Sequence, residues 1–169
     1  MNKPVKLINL KKIKDKRGYF IKLFSNKIIK KYQVEELFIT ESKKNVFRGF
    51  HFQEKKFDVE KLIYCLEGKV LDILIDLDTK KKTFGNVSKI NLSDKKNQLL
   101  FVPKKTAHGF ICLSKKCKLV YFYNKKYNKK FDKGISFDSI KFLKNYKRLI
   151  ISKRDKSFPT LNDYYLKYK

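Results

Sequence analysis

The chain has 169 residues, enough for one domain to bury a core without disulfide or metal support, and its formal charge of +27 comes almost wholly from lysine spread from Lys3 to Lys169. Such a field attracts polyanions such as nucleic acid, anionic membrane or a nucleotide diphosphate, although a chain rich in Lys, Ile, Asn, Phe and Tyr is also what AT-rich DNA encodes. Zinc-finger spacing, glycine- and aromatic-rich RNA-binding strands, a signal-peptide core in "MNKPVKLINLKK" and any run of membrane-spanning length are missing, which argues against nucleic-acid and membrane partners and for the cytoplasm.

In chain order, "GYFIKLF" (18 to 24) reads as a strand. "SNKIIKKYQ" follows, with Ser25 as a helix N-cap and apolar Ile28, Ile29 and Tyr32, and predicts a short helix. A strand is expected at "KLIYCLEG" (61 to 68). In "VLDILIDL" (70 to 77), Leu71, Ile73, Ile75 and Leu77 share one face while Asp72 and Asp76 point the other way, the pattern of a half-buried strand. "VSKINLS" (87 to 93), "QLLFVP" (98 to 103), "HGFICLS" (108 to 114) and "KLVYFYN" (118 to 124) repeat the rhythm, and together these strands indicate an antiparallel sandwich or barrel. From about residue 138 the tail reads as partly helical, in "SIKFLKNYKRLIIS" and "TLNDYYLKYK". No repeat or long linker divides the chain, so a single domain over residues 1–169 is expected.

The chain's two histidines, His51 in "RGFHFQ" and His108 in "KKTAHGF", each neighbour aromatic or apolar residues and a glycine, which aims both into one barrel interior. A metal-binding double-stranded β-helix supplies two histidines one residue apart, a carboxylate, and a third histidine from a later strand. Here Gln53 stands two residues after His51, and no further histidine exists to complete a zinc or iron site, so no metal is expected. Cys65, Cys112 and Cys117 lie in or beside apolar runs and read as reduced packing residues.

At this point the sequence resembles the dTDP-4-dehydrorhamnose 3,5-epimerases and their nucleotide-sugar relatives. The likeness runs from about residue 10 to residue 160 through "DKRGYFIKLFS", "NVFRGFHFQ", "EKLIYCLEGKVLDILIDL", "KTFGNV", "FVPKKTAHGF", "VYFYNKKYNKKFDKGISFD" and "ISKRDKSFP", in the family's order. The resemblance implies a mainly β fold, a cupin double-stranded β-helix or jelly-roll barrel with short, mostly C-terminal helices. It implies catalysis with no cofactor: His51 as base paired with Asp155, Lys61 beside the sugar carbonyl, and Tyr127 as acid on the opposite side. Arg48 and Arg17 would contact the diphosphate, with Arg17 reaching across a homodimer that exchanges strands, and His108, Gln53 and Phe20 would contact substrate.

Those residue types suit the chemistry. Epimerisation beside a ketone requires a base to take a carbon-bound proton, a donor to hold the enolate oxygen, and an acid on the other face; histidine near its ordinary pKa is fit for the first task. The sequence departs from the family's pattern at Glu36 and Phe38, where Gln and Asn are usual, at Asn45 in place of glycine and at Val87 in place of tryptophan. These departures leave the nucleotide open between dTDP and GDP, as in GDP-linked 4-keto heptoses for capsule or lipopolysaccharide sugars, and leave open whether C3 alone is inverted. A 3,4-ketoisomerase on the same barrel fits less well, because Gln53 stands where such enzymes carry a second histidine. A non-catalytic sugar-nucleotide cupin or a basic nucleic-acid binder is the alternative from another class.

Overall fold

The computed structural model describes residues 4–25 and 27–169. Its frame is two five-stranded antiparallel sheets. The first carries β1 (Lys6–Asn9), β9 (Gln98–Val102), β6 (Lys61–Glu67), β11 (Lys116–Tyr123) and β4 (Glu36–Lys43), in that spatial order. The second carries β12 (Asp132–Gly134), β5 (Phe47–Gln53), β10 (Thr106–Cys112), β7 (Lys69–Asp76) and β8 (Val87–Ser93). A separate hairpin, β2 (Lys12–Asp15) with β3 (Gly18–Ile21), pairs only with itself among the described residues.

Period-two alternation sorts the side chains into three layers. Ile63 and Cys65, Leu100 and Val102, and Leu119 and Tyr121 point from the first sheet into the space between the sheets, where they meet Val70, Leu74, Leu92 and Phe110 of the second. Their neighbours Leu62, Tyr64, Leu99, Phe101, Val120 and Phe122 point outward, yet stay buried under the N-terminal segment and Ile28 and Ile29. On the second sheet, Leu71, Ile73, Ile75 and Phe52 lie beneath Ile135, Ile140 and Leu143 of the tail. Each such side chain taken fully from water contributes about 1.5 to 3 kcal/mol.

This layering corrects the expectation for "VLDILIDL". Residues 70–75 of β7 are buried on both faces; Leu71, Ile73 and Ile75 face the tail, and Asp72, fully buried, faces the barrel interior. The helix expected from Ser25 is not formed among the described residues. Asn26, like residues 1–3 of "MNKPVKLINLKK", lies outside the described residues; around it the Ser25 carbonyl accepts from the Ile28 and Ile29 N–H groups, and the turn ends at Lys31 with a left-handed φ of 58°. The buried Tyr32 hydroxyl shares its one proton between the carbonyls of Phe122, at 2.6 Å, and Glu60, at 2.8 Å, which ties the chain to the sheet there.

The tail is helical only in places. Residues 137–139 and 141–145 form single 3-10 turns whose Ile140 and Leu143 follow the flat sheet below, a surface that a regular helical stripe would not match. Two α-helices follow: α1 (Lys153–Lys156), capped by Ser152, and α2 (Leu161–Tyr168), which opens with a Thr160–Asp163 capping box where the sequence predicts a helix. No helix among the described residues is long and apolar enough to cross a membrane.

Candidate active site

β5 and β10 run side by side with His51 directly opposite His108, so both histidines face the interior as their neighbours in sequence suggest. The strands can approach this closely because a glycine stands in each motif. A Cβ at Gly49 would fall 2.4 Å from the Cα of Gly109, and Gly49 has a φ of 134° that side chains rarely tolerate.

His51 lines a cleft of about 330 Å³ at one end of the barrel, together with Gln53, Lys61, Tyr123, Tyr127, Asp132, Glu36 and Phe38. Its Nε2 lies 2.8 Å from Oδ1 of Asp155, whose other oxygen accepts from the Gly49 N–H at 3.3 Å. Burial works against ionisation of Asp155, but the bonds from His51, Gly49 and Ser152 outweigh it and hold the carboxyl below its ordinary range. An ionised Asp155 only accepts, so in the neutral ring the hydrogen sits on Nε2 and Nδ1 keeps the basic lone pair. Phe158 packs edge-on against the His51 ring and fits only because residue 134 is glycine: a Cβ there would lie 2.2 Å from the phenyl ring.

Lys61 is almost wholly buried at the start of β6 and donates to the backbone carbonyl of His51 at 3.0 Å. Burial lowers its pKa to about 8, with Asp132, Asp72 and Asp58 pulling the other way. It is therefore still mostly charged at neutral pH, held against the backbone of His51. Gln53 accepts the Asn128 N–H through Oε1, which leaves its buried Nε2 on the cleft wall with no partner among the described residues.

Tyr127 stands half-exposed at the mouth. Its hydroxyl donates to Asp132 and its backbone N–H to Glu36. Partial burial and the adjacent Asp132 carboxylate both raise its pKa, against a smaller opposing effect from Arg154. The phenol is thus kept protonated. His108 is deeper, 3.0 Å from Asp72; burial holds it below the usual imidazole value despite that carboxylate.

Other residues named from the sequence lie apart from this cleft. Arg48 donates to Ser42 Oγ and the Glu41 carbonyl along β4. Arg17 is tied to Asp15 in the hairpin, and Phe20 there is 57 % exposed. Residues not singled out from the sequence are Asp72, Asp132 and its partner Arg154, and Phe158. Asp72 carried a signal, since a carboxylate inside an otherwise apolar strand needs a buried partner if both faces are covered. Among the described residues, no group of three or more His, Cys, Asp or Glu gathers as a metal site.

The jelly-roll barrel places the protein in the cupin class, and the proteins it is similar to make it a carbohydrate epimerase. A curated dTDP-4-dehydrorhamnose 3,5-epimerase from Methanothermobacter thermautotrophicus is 31 % identical over 158 residues, 88 % of this chain and 85 % of the relative. The crystal structure of the enzyme of that name from Elizabethkingia anophelis superposes with a TM-score of 0.86 at 29 % identity, covering 96 % of this chain and 93 % of the other. The dTDP-6-deoxy-D-glucose-3,5-epimerase of Legionella pneumophila, solved with dTDP-4-keto-L-rhamnose, gives a TM-score of 0.86 at 26 % identity, covering 94 % and 88 %. The dTDP-4-dehydrorhamnose 3,5-epimerase family model matches residues 3–163, and the chain belongs to that family.

Proposed function

We propose that this protein inverts C3 and C5 of a dTDP-linked 4-keto-6-deoxy sugar, without a cofactor, in the cytoplasmic synthesis of a surface polysaccharide. The observation that carries this reading is the His51–Asp155 bond beside buried Lys61, with Tyr127 at the rim of the same cleft. His51 Nδ1 takes the proton from the carbon next to the ketone, and the electron pair moves onto the ketone oxygen as an enolate. Asp155 stabilises the imidazolium so formed, an effect worth roughly 10² to 10⁴ in rate together with the transfer itself. The Lys61 ammonium faces the enolate oxygen, and one such donor is worth about 3 to 4 kcal/mol. Tyr127 gives a proton to the carbon from the opposite face; His51 then releases its proton to solvent, Tyr127 regains one, and the pair of steps is repeated at the second carbon.

The free Nε2 of Gln53 suits a sugar oxygen, and His108 with Asp72 supports the floor beneath it. Arg48 and Arg17 would meet the diphosphate. For Arg17 and Phe20 this requires a second copy. The hairpin that carries them exposes Ile13, Tyr19 and Phe20, a set of apolar side chains suited to crossing onto a partner in a homodimer. The whole chain would act as one catalytic domain, its three buried free thiols suited to a reducing compartment.

The test is incubation in D₂O with dTDP-4-keto-6-deoxyglucose and, in parallel, a GDP-linked 4-keto heptose, followed by NMR and mass spectrometry. Deuterium at C3 and C5 of the dTDP sugar is expected. Uptake at C3 alone would make the protein a single epimerase, and uptake only from the GDP substrate would overturn the nucleotide. His51→Ala should abolish exchange, while Tyr127→Phe should still exchange but form little inverted product.

A further inference from the structure

Besides Asp155 behind His51 and Glu36 on its wall, the cleft holds the carboxylate of Asp132, which the mechanism above does not use. Asp132 opens β12, opposite Gln53 of β5, and its side chain is only 10 % exposed. One of its oxygens, Oδ2, accepts both the Tyr127 hydroxyl, at 3.1 Å, and an Arg154 guanidinium nitrogen, at 2.5 Å. Arg154 and Asp155 are neighbours in the single turn of α1, so one short helix sends its arginine to the Tyr127 side of the cleft and its aspartate to His51. Phe158 completes the bracket: the Arg154 guanidinium lies over its ring at 5.0 Å, and the same ring abuts His51.

We propose, resting on the epimerase reading, that Asp132 is a positioning residue for the acid half of the reaction: braced by Arg154, it holds the Tyr127 hydroxyl at the cleft mouth. A tyrosine half in solvent has many rotamers, and the bond to a carboxylate that is itself clamped removes most of them. Asp132 also governs how the acid is reloaded. When Tyr127 passes its proton to carbon, the phenolate left behind faces the Asp132 carboxylate, with Glu36 bonded to the Tyr127 N–H, buried Lys61 in the same cleft, and Arg154 behind Asp132 as a countercharge. Two adjacent anions are unfavourable, so the phenolate regains a proton from solvent before its next proton donation. A neutral acceptor in place of Asp132 would leave the Arg154 charge unopposed and favour phenolate instead.

The experiment compares wild type, Asp132→Asn, Asp132→Glu and Tyr127→Phe. Ring-labelled tyrosine NMR follows the Tyr127 phenol, identified by its loss in Tyr127→Phe, through an alkaline titration. The same proteins are assayed for deuterium exchange and for inverted product across pH. For Asp132→Asn we expect Tyr127 to ionise at lower pH than in wild type. Exchange should persist, inverted product should fall roughly tenfold or more, and the alkaline limb of product formation should move to lower pH; Asp132→Glu should restore each. An unmoved Tyr127 titration, or exchange and inversion falling together with an unchanged alkaline limb, would overturn the proposal and reduce Asp132 to a structural residue of β12. If wild type exchanges no sugar at all, the epimerase reading fails, but the titration needs no substrate and still decides whether Asp132 controls Tyr127.

Discussion

Replacing Asp155 by Asn keeps the size and planarity of the side chain and removes its charge. In the native site the carboxylate lies 2.8 Å from His51 Nε2, and the imidazolium charge is spread over the ring, roughly 4 Å away on average. At an effective dielectric of about 20, such a pair interacts with about 4 kcal/mol. That much less stabilisation of the protonated base corresponds to a loss of about 10³ in the rate of proton removal, within the range of roughly 10² to 10⁴ ordinary for general bases. The fold should suffer far less, because Ser152 still caps α1 and the amide can still bond to Gly49 through its oxygen; in that orientation its NH2 meets His51 Nε2 and shifts the ring hydrogen to Nδ1, a further cost to the base rather than to the fold. A loss of about 1 kcal/mol, or roughly 2 to 4 °C in Tm, is expected for a chain of this size. The assay is initial-rate deuterium uptake by NMR at saturating sugar nucleotide, beside a thermal melt. A folded Asp155→Asn protein whose uptake falls by less than about tenfold would refute the argument that Asp155 acts through His51.

Lys61→Met should slow exchange by about 10² to 10³ while leaving the fold intact or firmer, since an apolar side chain replaces a buried charge; rate and melting temperature measured together check both halves. Gly49→Ala should cost about 3 kcal/mol or more, because the new methyl meets Gly109 backbone at a φ that alanine resists, and urea denaturation would detect it. Because the folded Asp155 pKa is depressed, its contribution to stability is fully present above the unfolded value of about 3.9 and is lost as pH falls through the folded value. The stability gap between wild type and Asp155→Asn, followed by denaturation from neutral to acidic pH, should therefore close toward low pH.

The strands from β6 to β11 were legible because their alternation is strong, and the two histidines because each sits beside a glycine in an apolar setting. Asp72 was misread for a physical reason. A polar residue alternating with apolar ones normally marks the wet face, but here the tail covers the outer face of β7 and the carboxylate turns inward to His108. The turn after Ser25 shows a related limit: Ile28, Ile29 and Tyr32 fit a helical spacing, yet Lys31 is left-handed and the Tyr32 hydroxyl is held by the distant carbonyls of Glu60 and Phe122. Asp132 and Arg154 were hidden in lysine-rich segments where one more charge carries no signal. Asp155 was reached through the family resemblance alone, since nothing in "KRDKS" speaks of His51.

The bond between His51 and Asp155 spans 104 positions of sequence. The base is laid down in the first third of the chain and its partner arrives only after the barrel strands have been made, carried by a segment that docks on the outside of a sheet it does not belong to. On the proposed mechanism, a chain halted or clipped before Ser152 would keep His51 and lose the carboxylate that bonds to its Nε2, so the base and the charge behind it are supplied by two separately made parts of the chain.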